Sequence, residues 1–529
     1  MLSTARPPFP WPTYRKIPHH LNLSAEVLER QIARNLGPQP ALVWDSGWVS
    51  YQTLYDQTRR LSAALNALGI RRGDLALVCM PNSLEFAVSF LALVKLGVVP
   101  VLINSFLTVE ELKNVLDQAQ PSMAITASSR AAAIREVSAS SSLRTIISAQ
   151  GTEKNEIAFD SLLTEPATDT PTAETLSDEP AFIVYTSGTT GKPKGIVHAH
   201  RWIIALGDLN RLRLPPLEND VVMATGEWSF ISALGHNLLF PLRNGVTGAV
   251  LSQRATPKNV LGAITRHRVT VLYSVATVYR RLLAMPGFEK QFNLESLRCA
   301  HSTGEALREA TYYEWRTRVG CELYEHYGVS EYQLVIGQGS SYSVKPGSVG
   351  KPLAGLEVAI LDDDFKPVPI GELGQFAISS KDPGLFLGYT NDPARTEAAI
   401  RKGWYFTGDL AYQDEDGYVF IAGRRDDCFK SRGIFISPTE IENALQRHPA
   451  IVEAAVVAEP DPEGGNRILA LAVLRDPQHA SDQLAQSLRE SLRSQIAPFK
   501  VPHSIEFVDR LPKNAVGKII RSALGQKPR

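Results

Sequence analysis

Residues 75–103 hold the pattern that most limits what this chain can fold into. Leu75–Met80 is an apolar run of strand length, Asn82 can cap a helix running to Leu96, and Val98–Ile103 is a second strand-like run. Two strands joined through a helix cannot pair as a tight antiparallel hairpin. The crossover carries the chain back to the same sheet edge, so the strands run parallel. The alternation returns later. Val221–Ala224 and Val246–Leu251 read as strands, Thr256-Pro257 starts a helix, and Val269–Val275 and Leu297–Ser302 are further strands. The fold class is therefore α/β, with mixed or parallel sheets and flanking helices. Ser24–Leu36 and Tyr51–Leu68 read as helices, Ser24 capping the first. Ala127–Ser142 reads as helix plus loop, and 164–180 as an exposed connection rich in Thr, Pro, Glu and Asp.

A chain of 529 residues exceeds one hydrophobic core. The texture changes after Gly423, where GRRDD at 423–427 is charged and poor in apolar residues. Beyond it the sequence predicts a helix from Pro438, strands near Ala454–Ala458 and Ile468–Leu474, a helix near Gln483–Ile496 and a strand near Ile505–Val508. That is about 100 residues, enough for a small α+β domain. The expected organisation is a large N-terminal domain over 1–425 and a small C-terminal domain over 426–529.

Lys+Arg and Asp+Glu both number 55, so no charge surplus suits nucleic acid or an anionic membrane. Phe86–Ile103, the most apolar stretch, is interrupted by Lys95, Gly97 and Pro100, which argues against a membrane span. The four cysteines (Cys79, Cys299, Cys321 and Cys428) are widely spaced, with neither metal-ligand pairing nor a disulfide framework. The N-terminus lacks the apolar core of a signal peptide, so a reducing cytoplasm is the expected setting.

Tyr185–Lys194 reads YTSGTTGKPK and follows the strand-like run Ala181–Val184. Glycines let consecutive backbone N–H groups converge on one anion. Hydroxyls add donors, and Lys192 and Lys194 add charge. This composition suits a polyphosphate, although its spacing is not that of the P-loop.

With its neighbours, this loop resembles that of the adenylate-forming superfamily of acyl- and aryl-CoA synthetases, peptide-synthetase adenylation domains and luciferases. Five further segments fit in order: STGEA at 302–306, YGVSE at 327–331, YFTGDL at 405–410, GRRDD at 423–427 followed by Lys430 and Gly433, and PKNAVGKIIR at 512–521. The resemblance implies ATP and AMP contacts from Thr186, Ser187, Gly188, Thr189, Thr190 and Lys194, and from Gly304, Glu305 and Ala306. Tyr327, Gly328 and Ser330 join them, as do Asp409 on the ribose hydroxyls and Arg424. Glu331 and Thr186 are the implied Mg²⁺ ligands. Asp426 is the implied hinge, Gly433 the implied lining of the CoA passage, and Lys518 the implied catalytic lysine.

The same resemblance implies ATP-dependent activation of a carboxylic acid as acyl-AMP, then transfer to CoA. The implied acid pocket includes Phe230, Ala233, Leu234, Ser302, Thr303, Tyr327, Gly328 and Val329. The segments 230–242 and 426–442 look like those of benzoate-type ligases. Where many family members place His or an aromatic just before a glycine, this chain has Ser229, Phe230 and Ile231, with Trp228 nearby. Except for Glu227, no acidic residue of the implied pocket segments stands where an α-amino group would need one, which disfavours amino acids. A benzoate-like acid is expected. A medium-chain fatty acid, or a carrier protein as acceptor in place of CoA, are the alternatives. The aromatics could equally be core residues. Oligomeric state is not readable.

Overall fold

The computed structural model describes residues 16–138, 142–153, 156–164, 170–187, 193–353, 355–431, 434–461, 466–513 and 519–524. The strand–helix–strand unit is present. Leu75–Cys79 and Val99–Leu102 pair in parallel, Leu75 opposite Val99, around the helix Leu84–Lys95. That helix is apolar on nearly every side because it is buried almost all round.

One of two eight-stranded sheets contains this unit. Its order runs Gly388–Tyr389, Pro193–Ala199, Pro180–Ser187, Val99–Leu102, Leu75–Cys79, Met123–Ala127, Thr145–Ala149, Ile157–Ala158. The other runs Tyr332–Gly337, Glu322–Val329, Cys299–Thr303, Val271–Ser274, Val221–Ala224, Thr247–Ala249, Pro40–Trp44, Gly47–Ser50. Its interior pairs are parallel, and antiparallel strands close both edges.

By compactness the chain forms two units. Both sheets belong to the larger unit, Ser3–Glu357 with Ser379–Gly403. The smaller comprises Val358–Ile378 and Trp404–Arg529. It thus takes in residues 404–425, upstream of the 425/426 boundary. Asp426 lies inside the smaller unit. In the smaller unit, helix Pro438–Gln446, strands Ile451–Pro460 and Asn466–Leu474, helix Asp482–Arg493 and strand Ser504–Phe507 enclose their own core of Ile441, Leu445, Val456, Ala470, Leu488 and Ile505.

Several local expectations need correction. Ser24 is already helical and caps nothing. Asn22 Oδ1 accepts from the N–H groups of Ser24 and Ala25, so the helix starts earlier, with a π-turn over Ala25–Glu29. Asn82 does not cap the Leu84–Lys95 helix either. Ser83 does, its hydroxyl accepting from Phe86 N at 3.2 Å. Asn82 instead reaches across the larger unit, donating to Gly226 O at 2.9 Å and accepting from Trp228 N at 2.7 Å. Finally, residues 170–180 are not simply an exposed connection. Thr175 is buried, its carbonyl accepts from Leu21 N, and Ala173 N donates to Lys95 O. Turn-type composition does not reveal a strap whose backbone is satisfied by distant partners.

The two asparagine/serine roles are separable. Ser83→Ala should cost about 1 kcal/mol, as for loss of a helix cap. Asn82→Ala leaves the buried Trp228 N–H unpartnered and should lower the melting temperature of the larger unit more. Thermal unfolding of both variants followed by circular dichroism checks the order.

Candidate active site

Strands Pro180–Ser187 and Pro193–Ala199, which flank the Gly/Thr-rich motif in sequence, pair antiparallel with Thr186 opposite Lys194. Gly188, Thr189 and Thr190 lie outside the described residues, as does the side chain of Ser187. Lys194 Nζ donates to Glu331 Oε1 at 2.6 Å, and Tyr389 Oη donates to the same oxygen at 2.7 Å. The Lys194 ammonium also lies over the Tyr389 ring, 5.1 Å from its centroid. Glu331 is 3 % exposed. Burial alone pushes its carboxyl up, but the Lys194 charge and these hydrogen bonds outweigh it and hold the group below its ordinary value. Thr186 Oγ1 is buried and has no hydrogen-bond partner among the described residues. His198 stacks on Phe182 and its Nε2 contacts Ser330 O at 3.0 Å, fixing the backbone just before Glu331.

Tyr327, Gly328, Val329 and Ser330 are half-buried on strand Glu322–Val329 and the turn after it. Gly328 has no alternative, since a Cβ there would lie 1.8 Å from Gln333 O. Gly304, Glu305 and Ala306 are exposed after strand Cys299–Thr303, with Gly304 at φ +86°. Glu305 is already engaged, accepting from Thr277 N at 2.8 Å and Thr277 Oγ1 at 2.9 Å. It anchors the loop, leaving main chain and Ala306 exposed.

The segment 226–240 is held from beneath. Trp228 is fully buried, its indole N–H donating to Asn237 Oδ1 at 2.9 Å. Of the two readings for the aromatics here, Trp228 takes the core one. Phe230 is half-buried, while Ala233 and Leu234 are buried. Asn237 Nδ2 donates to Val222 O at 2.9 Å and Ala249 O at 3.0 Å, clipping the segment to two parallel strands. Leu234–Leu239 forms a π-turn, a geometry frequent at functional sites. Within it Gly235 abuts Gln333, whose Nε2 would lie 2.4 Å from a Cβ. Glu227, the one acid of this segment, accepts from Ser105 Oγ at 2.8 Å and from Ser105 N at 3.3 Å.

Strand alternation puts Ser302 and Thr303 on opposite faces. Thr303 shares a face with His301, and its register partner is His326, itself opposite Gly337. On that face His236 stacks on Tyr273 at 4.1 Å between ring centroids, and Tyr273 stacks on His301 at 4.5 Å. Ser302 is fully buried, and its hydroxyl lacks a partner among the described residues.

In the smaller unit Asp409 and Arg424 face each other across an antiparallel hairpin. Arg424 Nη1 donates to Thr407 O at 3.0 Å and approaches Asp409 Oδ2 at 3.3 Å. Gly408, at φ +80°, leaves room for that guanidinium, since a Cβ would stand 2.9 Å from its Nη2. Asp426 is exposed in the 3₁₀ turn Arg425–Asp427. Gly433 and Lys518 lie outside the described residues. Just beyond Lys518, Arg521 Nη1 donates to the buried Glu442 at 2.6 Å.

With this geometry in view, comparison with known proteins decides the family. A family model for the AMP-binding enzyme matches residues 28–390, and one for the AMP-binding enzyme C-terminal domain matches 440–518. The chain belongs to the AMP-binding enzyme family. It is an AMP-forming acid–thiol ligase of the acyl- and aryl-CoA synthetase type, acting in two steps through an acyl-adenylate with ATP and CoA as substrates. It is 35 % identical to an uncharacterized acyl–CoA ligase of Bacillus subtilis over 93 % of each chain. It is 33 % identical to the benzoate–CoA ligase of Thauera aromatica over 96 % of each. Among solved structures, an anthranilate CoA ligase in complex with anthranoyl-AMP matches with TM-score 0.89 and 31 % identity, over 97 % of this chain and 98 % of that one.

The motifs led to Glu331, Lys194 and Thr186, which the ligase brings together. They gave no sign of Tyr389, His198, Asn82 or Asn237. Each of these acts through a contact distant in sequence, and none stands in a motif of its own.

The buried histidines have a measurable consequence. Burial lowers His198 and His236 to about 3 and His200 to about 4, with His301 and His326 well below their ordinary range. The native state refuses protons that the unfolded chain accepts below about pH 6.5. The stability from these neutral rings is complete above that value and is lost as pH falls toward the native values. Each ring contributes a slope of roughly 1.4 kcal/mol per pH unit. The melting temperature of the ligase should fall steeply from pH 6.5 to 4.5, and His198→Phe should flatten the profile. Differential scanning calorimetry across that range is the check.

Proposed function

We propose that the ligase activates an aromatic, benzoate-like carboxylic acid. The observation that carries this reading is the state of Glu227. Its carboxylate is taken up by Ser105, so the segment offers no free acid to an α-ammonium group, while half-buried Phe230 and buried Ala233 and Leu234 supply apolar surface. Relatives similar over nearly their whole length and named for benzoate and anthranilate support the same class.

In the first half-reaction a carboxylate oxygen attacks the α-phosphorus of ATP and expels pyrophosphate. In the second the CoA thiol attacks the acyl carbonyl, loses its proton and expels AMP. Hydroxyls and amides of 186–190, with Lys194, would hold phosphate oxygens. Asp409 would accept from the ribose hydroxyls and Arg424 would add donors beside it. The backbone of 304–306 and the Tyr327 ring would pack on adenine. Glu331 and Thr186 fit an Mg²⁺ ion, since one is a buried anionic carboxylate and the other a buried hydroxyl without a partner among the described residues. Bound there, the ion would neutralise phosphate charge. Lys194 would then exchange its bond to Glu331 for one to phosphate. Asp426 would be the pivot between half-reactions, with Gly433 lining the thiol passage and Lys518 steadying the reacting carboxylate and α-phosphate. Four free cysteines support a reducing, cytoplasmic setting. No described helix is long and apolar enough to cross a membrane.

Pyrophosphate release with ATP, Mg²⁺ and a panel of acids, each with and without CoA, tests the reading. The expected result is CoA-dependent turnover of benzoates exceeding that of octanoate and of amino acids. A preference for octanoate or an amino acid would overturn it. Lys518→Ala should slow acyl-AMP formation by about 100-fold or more, while sparing thioester formation from preformed acyl-AMP. Equal loss in both halves, measured by rapid quench, would remove Lys518 from its role.

A further inference from the structure

Within the smaller unit, the exposed Asp426 stands between two residues anchored to different structures. On the upstream side, Arg425 Nη2 donates to Asp363 Oδ1 at 3.0 Å and Arg425 Nη1 donates to Gln375 Oε1. Gln375 Nε2 donates to the same Asp363 oxygen at 3.0 Å, closing a triangle. Gln375 lies on strand Gly374–Ser379, which pairs with Val358–Leu361. Arg424, one residue earlier, ends strand Val419–Arg424 and is held by Thr407 O and Asp409. The chain up to 425 is thus fastened to the sheet formed by 358–424.

On the downstream side the partner is Arg521, whose Nε lies 3.0 Å from Asp427 Oδ2. The same guanidinium grips Glu442 with its other edge, Nη1 donating to Oε1 at 2.6 Å and Nη2 to Oε2 at 2.9 Å. A planar fork makes this paired contact, and an ammonium does not. Glu442 is buried on helix Pro438–Gln446 and also accepts from Val456 N at 2.7 Å. Arg521 Nη1 reaches Val456 O at 3.2 Å. Helix and strand both contribute to the core of Ile441, Leu445 and Val456, so Arg521 is seated on packed structure.

The bonds that cross position 426 are of another kind. Cys428 N donates to Arg425 O at 3.1 Å, the Cys428 thiol donates weakly to Arg424 O at 3.1 Å, and the Ser437 hydroxyl donates to Ala422 O. All are neutral, and those of the part-exposed turn Arg425–Asp427 exchange readily with water. Charge-assisted bonds are roughly twice as strong. A backbone change at 426 trades the neutral bonds. A change shared with 425 or 427 also drags a charged side chain off its partner.

We propose that Arg521 is a positioning residue for the rotation between half-reactions. By yoking Asp427 to Glu442 it makes the body built on the Ile441–Ile505 core turn as one piece and confines the turn to Asp426. Arg425 does the same for the sheet upstream. Without the yoke the change spreads over several residues, and the body reaches its second orientation less often. The inference rests on the pivot proposed above and adds the residue that makes it sharp.

The test uses the full-length ligase with whichever acid of the panel it turns over. Asp427→Asn removes one leg and leaves Arg521 on Glu442, so the core is undisturbed. Its kcat should fall roughly 10-fold, the scale of one hydrogen bond to a charged group, while KM for ATP and for the acid stays within about twofold and the melting temperature is unchanged. Asp427→Glu, which restores the carboxylate, should recover more of kcat than the isosteric Asn. Arg521→Lys breaks the fork, and its combination with Asp427→Asn should cost no more than the worse single variant. Wild-type kcat in Asp427→Asn overturns the yoke, as do additive losses in the double variant. A loss of kcat that follows a fall in melting temperature makes the contact structural and overturns it too. Asp426→Pro separates the yoke from the pivot. Wild-type turnover in that variant removes the pivot and the yoke with it. Slow turnover there with normal Asp427→Asn leaves the pivot standing and removes the yoke alone.

Discussion

The carboxamide of Asn237 is the junction on which the segment 226–240 of the larger unit depends. It is fully buried, receives the Trp228 indole N–H and donates to the carbonyls of Val222 and Ala249. All of this happens inside a π-turn, where an extra residue per turn leaves backbone groups out of register with the helical ladder. The side chain therefore spans from an irregular helix to the regular sheet beneath. Buried amides of this kind stabilise little in net terms when satisfied and cost much when broken. Asn82 performs the same service from the other end, gripping the backbone on both sides of Glu227. Between these clamps Phe230, Ala233 and Leu234, the proposed acid-pocket residues, are held in place by polar groups on the opposite side of the segment.

Around Glu331 a different balance operates. A buried carboxylate is unfavourable by itself, and the nearby lysine and tyrosine compensate. In the proposed function the same arrangement would serve binding. Lys194 is part-exposed and stacked on Tyr389, so it can leave the carboxylate for a better anion without being unfolded from its strand. If the nucleotide binds here as proposed, Lys194 serves as a provisional counter-ion, which would reduce the reorganisation on binding.

Much of the α/β architecture was legible because it follows from period and punctuation. The apolar runs at 75–80, 98–103, 221–224 and 269–275 gave strands where expected, and Tyr51–Leu68 gave its helix. Failures came where a residue competent for a local role was recruited at long range. Asn82 and Ser83 are both good caps, and sequence alone does not say that the sheet beyond needs the asparagine. Of the candidate site residues, Thr186, Lys194, Glu331, Asp409 and Arg424 could be named from the sequence because the resemblance fixes their order. Tyr389 and His198 could not, since the contacts that tie them to Glu331 and Ser330 are made only by folding.

Gly328 has an evolutionary corollary. The atom that forbids a side chain there is the main-chain oxygen of Gln333, and the conflict remains whatever residue occupies position 333. Most tight glycines can be relieved by trimming a neighbour, so their loss can be suppressed at a second site. This one has no such suppressor. Side chains around it can be exchanged, but the turn at Gly328 stays a fixed point that a point mutation elsewhere does not free.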